Sequence, residues 1–101
     1  MLDFMNMADN YEERLVENYT KGGLQVDTCA ITDSDQPFET GILHPKYNNG
    51  NWVIVQMYDT KEEARTGHAL WVKLMTAKKL PNKLEDVSTC EIAKLINFLE
   101  N

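Results

Sequence analysis

Phe38-Glu39-Thr40-Gly41-Ile42-Leu43-His44-Pro45-Lys46-Tyr47-Asn48-Asn49-Gly50-Asn51-Trp52-Val53-Ile54-Val55-Gln56-Met57-Tyr58-Asp59-Thr60-Lys61-Glu62-Glu63 reads as strand, turn, strand and helix start without a gap. Asn49-Gly50 is the favoured pair for a two-residue hairpin turn that needs positive φ at both positions. On such a turn Asn48 faces Asn51, Tyr47 faces Trp52, His44 faces Val55 and Ile42 faces Met57. Phe38, Thr40, Ile42 and His44 then share a face with Val53, Val55 and Met57, while Trp52, Ile54, Gln56 and Tyr58 take the other. A strand apolar on both faces is expected at the centre of a sheet or covered on both sides. Pro45 and Lys46 place the end of the third strand near an edge.

The helix that follows is announced by Thr60 and Glu63, the spacing of a capping box. Glu62 and Glu63 in its first turn and Lys78 and Lys79 in its last suit the macrodipole. The pattern predicts a helix over Lys61–Lys78 with Ala64, His68, Trp71 and Met75 on the face toward the sheet. Leu80-Pro81-Asn82 ends it. Ser88 and Glu91 form a second capping box, opening a C-terminal helix whose Ile92, Leu95, Ile96 and Leu99 make an apolar stripe.

Upstream, Leu15-Val16-Glu17-Asn18-Tyr19 and Leu24–Thr32 are β-rich runs separated by Gly22-Gly23, and they predict a first hairpin. Asp33-Ser34-Asp35-Gln36-Pro37 is a concentrated loop signal that ends its second strand. Residues 1–12 lack periodicity and are expected to form a frayed arm or a short helical turn. There is no repeat, low-complexity tract or linker. The 101 residues therefore predict one α+β domain: an antiparallel meander of about four strands followed by two C-terminal helices packed on one face.

Composition narrows the function classes. The apolar fraction of 43% and charged fraction of 26% are those of a globular domain rather than a disordered or membrane chain. No apolar run approaches the roughly 20 residues that a spanning helix needs, and Met1–Met7 lacks the pattern of a signal peptide, so a cytosolic protein is expected. Residues 1–60 carry ten acids and three bases, net −7, whereas residues 61–101 carry six acids and seven bases, net +1. The acidic half repels phosphate backbones and anionic lipids, which argues against nucleic-acid and membrane binding; it either attracts a basic protein surface or is a solvated face that keeps the protein soluble.

Candidate chemistry is thin. Cys29, Cys90, His44 and His68 lack the close pairing of a zinc module, and in a reducing compartment the two cysteines are expected free. Asp33-Ser34-Asp35 opens like a calcium loop but lacks the glycine and distal glutamate that complete one. Glu39 and His44 stand five apart on a strand and point to opposite faces. His68, on the inward stripe, reads as a structural histidine. No glycine-rich turn leads from a strand into a helix, so no phosphate cradle forms. These residues predict neither a metal, nor a cofactor, nor an enzyme. The partner-binding candidates are the acids Asp33, Asp35 and Glu39 with the hairpin-tip aromatics Tyr47 and Trp52. Aromatics at a projecting turn act as contact anchors, or alternatively pair across the strands.

Gly41–Pro45, Tyr47–Val55, Tyr58–Ala64, Gly67-His68 and Trp71-Val72 together resemble a type of small accessory protein encoded by tailed bacteriophages of Gram-positive hosts. The resemblance covers residues 38–80 and brings no catalytic residues. It implies a viral accessory role in the host cytoplasm, in which the domain binds a host or phage protein and inhibits a host or defence factor. The alternative expectation is a structural or assembly protein of the particle working as a homo-oligomer. A weaker third is a small-ligand binder or minor enzyme with a pocket between sheet and helices.

Overall fold

A computed structural model describes residues 11–31 and 35–87 of the chain. A four-residue helical turn, α1 (Tyr11–Arg14), leads into β1 (Leu15–Lys21), β2 (Leu24–Ala30), β3 (Phe38–Leu43) and β4 (Val53–Tyr58), and helix α2 (Lys61–Met75) follows. The four strands form one antiparallel sheet in the order β1-β2-β3-β4, with α2 packed across all four. This is the expected α+β meander with one long helix on its face. The expected second helix, Ser88 to Leu99, and Asp33 lie outside the described residues.

The first hairpin turns where the glycines stand. Lys21 pairs with Leu24, and Gly22 adopts φ 59, the left-handed conformation that glycine takes without steric cost. Beyond β2, the Ile31 amide donates to the Pro37 carbonyl at 2.8 Å and closes the loop to β3.

The second hairpin differs from its predicted register. Ile42 lies opposite Val53, not Met57, and Phe38, Glu39 and Thr40 lie opposite Tyr58, Met57 and Gln56. The two-residue turn is replaced by a longer connection over residues 44–52. Asn48, Asn49 and Gly50 take φ of 48, 54 and 81, so the left-handed conformation expected at Asn49-Gly50 begins one residue earlier. The cause is Tyr47, which is not opposite Trp52. Its ring is 5% exposed in the main core, and its hydroxyl donates to the Pro81 carbonyl at 2.6 Å. Drawing Tyr47 inward lengthens the loop and slips the register.

A bulge completes the rearrangement. Thr40 pairs with Gln56 but Gly41 pairs with Ile54, leaving Val55 as the extra residue of β4. Beyond it the faces exchange. Gln56 and Tyr58, expected on the face away from Thr40 and Ile42, share the face of those residues on the side of α2, whereas Met57 turns to the other side with Ile54. There the Trp52 ring and Ile54 lie over the bare backbone of Gly41, 3.2 Å from where a Cβ would stand.

The main core joins Leu24, Val26, Ile42, Tyr47, Val53, Val55 and Met75, with Trp71, Val72, Leu80 and Leu84 packed against it. Full burial of side chains such as Val26 and Ile42 contributes about 1.5–3 kcal/mol each. Helix α2 starts as predicted: the Thr60 Oγ1 accepts from the Glu63 amide at 3.1 Å, and its hydroxyl donates to Glu63 Oε1 at 3.0 Å. Ala64, Gly67, His68 and Met75 are buried on its inner face. The helix ends at Met75, short of the predicted Lys78, with Thr76 as its cap. The chain then returns along β4, where the Val87 amide donates to the Ile54 carbonyl at 2.8 Å.

Gly67 lies directly against Tyr58 of the sheet, since a Cβ there would overlap the Tyr58 ring and hydroxyl. In a helix interior Gly→Ala ordinarily stabilises by about 1 kcal/mol. Here Gly67→Ala is expected to have the opposite sign, destabilising by about 1–3 kcal/mol through forced displacement of Tyr58. Urea unfolding of the variant against the parent measures it.

Candidate functional site

Four polar side chains meet between sheet and helix: Thr28, Thr40 and His68 come from a regular strand pair and the helix above it, and the bulge in β4 adds Tyr58. Thr28 of β2 and Thr40 of β3 are paired neighbours and have no solvent exposure. Their hydroxyls meet at 2.5 Å. Thr28 Oγ1 also lies 2.7 Å from His68 Nδ1, and Thr40 Oγ1 lies 2.9 Å from the Tyr58 hydroxyl. His68 and Tyr58 are each 4% exposed.

Each end of this chain reaches the surface. His68 Nε2 stands 3.8 Å from Glu17 Oε2, a carboxylate half in solvent. At the other end the Tyr58 hydroxyl is 3.4 Å from Gln56 Oε1, which also accepts from the Trp71 indole N–H at 2.8 Å. One line of hydrogen-bonding groups thus runs Glu17, His68, Thr28, Thr40, Tyr58, Gln56, Trp71. Among the described residues no buried side-chain polar atom lacks a partner, as a buried network must to avoid the cost of desolvation.

The Gln56 end opens into a groove of about 430 Å³ between the end of β4 and the first turns of α2. Tyr58 and Gly67 line its wall, and Asp59, Glu62 and Glu63 line it without any lysine or arginine. Leu70, 61% exposed, adds an apolar edge.

Hydroxyl, imidazole and carboxylate in the order Thr28, His68, Glu17 have the sequence of a hydrolytic triad, yet the hydroxyl cannot attack a substrate. It is sealed from solvent and already engaged by two partners. A nucleophile must reach its substrate. The order serves packing and polarity.

Burial lowers the pKa of His68, against the opposing fields of Glu17 and Asp27, so the neutral ring is favoured in the fold. Burial likewise raises Cys29 to about 12, reinforced by Asp27 and Glu39. Cys29 is a buried free thiol and stays protonated, hence unreactive at neutral pH. Among the described residues no group of three or more metal-ligating side chains comes together.

Among the described residues, the sequence-derived contact candidates Asp35, Glu39, Tyr47 and Trp52 are not assembled into one patch. Asp35 is exposed in the loop before β3, and Trp52 is half-buried over Gly41. Tyr47 is inside the core, so its ring is not displayed at the hairpin tip. Glu39 is half-buried on the sheet face away from α2, its carboxyl raised by burial first and by Asp86 next, with Arg14 opposing. The acids that flank a concavity are Asp59, Glu62 and Glu63, which in the sequence look like helix-start residues and nothing more. His68 was legible as inward-facing. Thr28 and Thr40 were not legible as its companions because they come from strands far from it in sequence, and Tyr58 was not because its place on this face depends on the bulge.

Comparison with protein-family models, curated proteins and solved structures returns no match for the chain.

The His68 environment sets a pH dependence whose sign is fixed. A histidine with a lowered folded pKa takes up its proton more readily when unfolded, so stability falls as pH drops below the unfolded value of 6.5. The slope is bounded by about 1.4 kcal/mol per pH unit for one proton. Glu39 acts oppositely: its raised pKa makes proton uptake favour the fold as pH falls toward 4.5. Denaturant unfolding between pH 7.5 and 5.5 is expected to show the loss, and His68→Gln is expected to remove it. An unchanged slope in His68→Gln would assign the loss to another group.

Proposed function

We propose that this domain is a non-enzymatic binding module that docks a basic segment of another protein in the groove between β4 and α2. The observation that carries the reading is the lining of that groove, where Asp59, Glu62 and Glu63 stand together with no base among them, beside the exposed Leu70. A lysine- or arginine-rich segment would meet complementary charge along the rim and an apolar edge at Leu70, the combination that steers and then holds a partner. Asp35 is exposed and next in sequence to Gln36 of the lining. In this reading the partner is a host or phage protein met in the host cytoplasm, as the resemblance of residues 38–80 to phage accessory proteins implies.

The alternative, assembly as a homo-oligomer, rests on Leu70 and Leu74. They stand one helical turn apart on the outer side of α2, at 61% and 44% exposure, an apolar pair that a second copy could cover.

The docking reading is tested with basic peptides displayed as an array, followed by fluorescence anisotropy of the best binder. The double variant Asp59→Lys/Glu62→Lys is expected to weaken binding by about tenfold or more, equivalent to about 1.4 kcal/mol. Added salt is expected to weaken the parent's binding progressively. Glu85→Lys, at an exposed acid outside the groove lining, serves as control. If both variants lose affinity equally, general charge attraction replaces groove docking.

A further inference from the structure

We propose that the Thr28–Thr40–Tyr58 hydroxyl chain is a polarity switch: proton uptake at His68 reverses every hydroxyl in the chain and turns the Tyr58 O–H outward onto Gln56 at the groove.

The argument follows from counting donors and acceptors. With His68 neutral, Nε2 faces the Glu17 carboxylate and carries the proton, which leaves Nδ1 as an acceptor. Thr28 then donates to Nδ1, Thr40 donates to Thr28, and Tyr58 donates to Thr40. In this state Gln56 Oε1 receives the Trp71 indole N–H, and the Tyr58 hydrogen is committed mainly to Thr40, leaving only the long 3.4 Å contact to Gln56. The distances agree with that polarity. The Tyr58–Thr40 link is 2.9 Å, whereas the Tyr58–Gln56 link is 3.4 Å.

When His68 gains a proton, both ring nitrogens become donors. Nδ1–H now donates to Thr28 Oγ1, so the Thr28 hydrogen must leave that side. Thr28 has no solvent, and the remaining acceptor along the chain is Thr40. Thr40 in turn donates to the Tyr58 oxygen, and Tyr58 donates to Gln56 Oε1. One proton enters from solvent at the ring and none is released. The response consists of three hydroxyl rotations and a shortening of the Tyr58–Gln56 contact. A buried chain is well suited to this, because no water can absorb the change at an intermediate link.

The charges that act on His68 come from Glu17 of β1 and Asp27 of β2. On the α2 side, β3 contributes Thr40 and β4 contributes Tyr58, with no further acid or base among their residues facing the helix. Glu17, half in solvent, is placed to close on the charged ring. The consequence for docking rests on the groove being the docking site, since Gln56 and Tyr58 both line it. The switch itself does not depend on that.

The Trp71 indole N–H reports the far end of the chain through its bond to Gln56. Nitrogen-15 NMR of the whole chain, with no partner added, follows that resonance and the His68 ring through a pH titration. Trp52→Phe assigns the indole signals and His44→Gln assigns the rings. The expected result is one shared midpoint for His68 and the Trp71 N–H. Thr40→Val or Tyr58→Phe, which cut the chain while leaving His68, Gln56 and Trp71 unchanged, is expected to leave the His68 titration in place and abolish the Trp71 response. A Trp71 response absent in the parent, or surviving both cuts, would overturn the switch in favour of no coupling or of a direct field from the ring. Should Thr40→Val fail to fold, Tyr58→Phe decides. Because no peptide is present, the switch can fail with groove docking intact, and docking can fail with the switch intact.

Discussion

Thr28 and Thr40 place two hydroxyls side by side where no water reaches, and much of the surrounding architecture answers that constraint. A hydroxyl in such a place costs about 1–3 kcal/mol if left without a partner. The two can satisfy each other only in part, because a single shared hydrogen leaves one donor over. The surplus is taken up by His68 from the helix and Tyr58 from β4, so satisfying a strand pair ties three strands to α2. Apolar residues at the same positions would fill the space without specifying which part of the helix lies above them. The hydroxyls specify it, since only one rotation of α2 brings the His68 ring within reach.

The same need explains the irregularities of β4. Regular alternation from Val53 would send Gln56 and Tyr58 to the face away from α2 and leave the Thr40 hydroxyl one partner short. The extra residue at Val55 exchanges the faces just where Thr40 requires a donor. Tyr58 then needs room beneath the helix, and Gly67 supplies it. Bulge, tyrosine and glycine are one device, in which each part has little reason to exist without the others.

Local rules therefore made some of this fold readable and left some hidden. The first hairpin, the capped start of α2 and its inner stripe of Ala64, His68 and Met75 depend on residues close in sequence, and their turn, cap and period signals are visible there. The register of the second hairpin departs from its local signal because Asn49-Gly50, a strong turn pair, is overruled by a distant contact. The pull on Tyr47 comes from the core and from the Pro81 carbonyl, far along the chain. The polar chain was hidden for the same reason. Its members come from β2, β3, β4 and α2, and a bulge leaves no composition signature when the inserted residue is a valine that follows Val53 and Ile54. The acidic groove was hidden differently: Glu62 and Glu63 have a sufficient local explanation in the helix dipole, which masks any role they have in flanking a concavity.

The groove and the buried chain share one cause. A helix packed on a sheet normally closes its edge with side chains, and position 67 would ordinarily contribute one. Glycine there, imposed by the Tyr58 hydroxyl beneath, leaves backbone and tyrosine ring as the wall of an opening flanked by Gln56 on the strand and Thr66 and Leu70 on the helix. Filling the opening at position 67 would thus displace Tyr58, and displacing Tyr58 would take a partner from Thr40. The concavity is retained because the interior needs it, and the acids at the start of α2 face it because the helix must begin where β4 ends. A surface feature that follows from an interior constraint is hard to lose by drift at the surface alone, which is the condition under which a binding site can be built upon it.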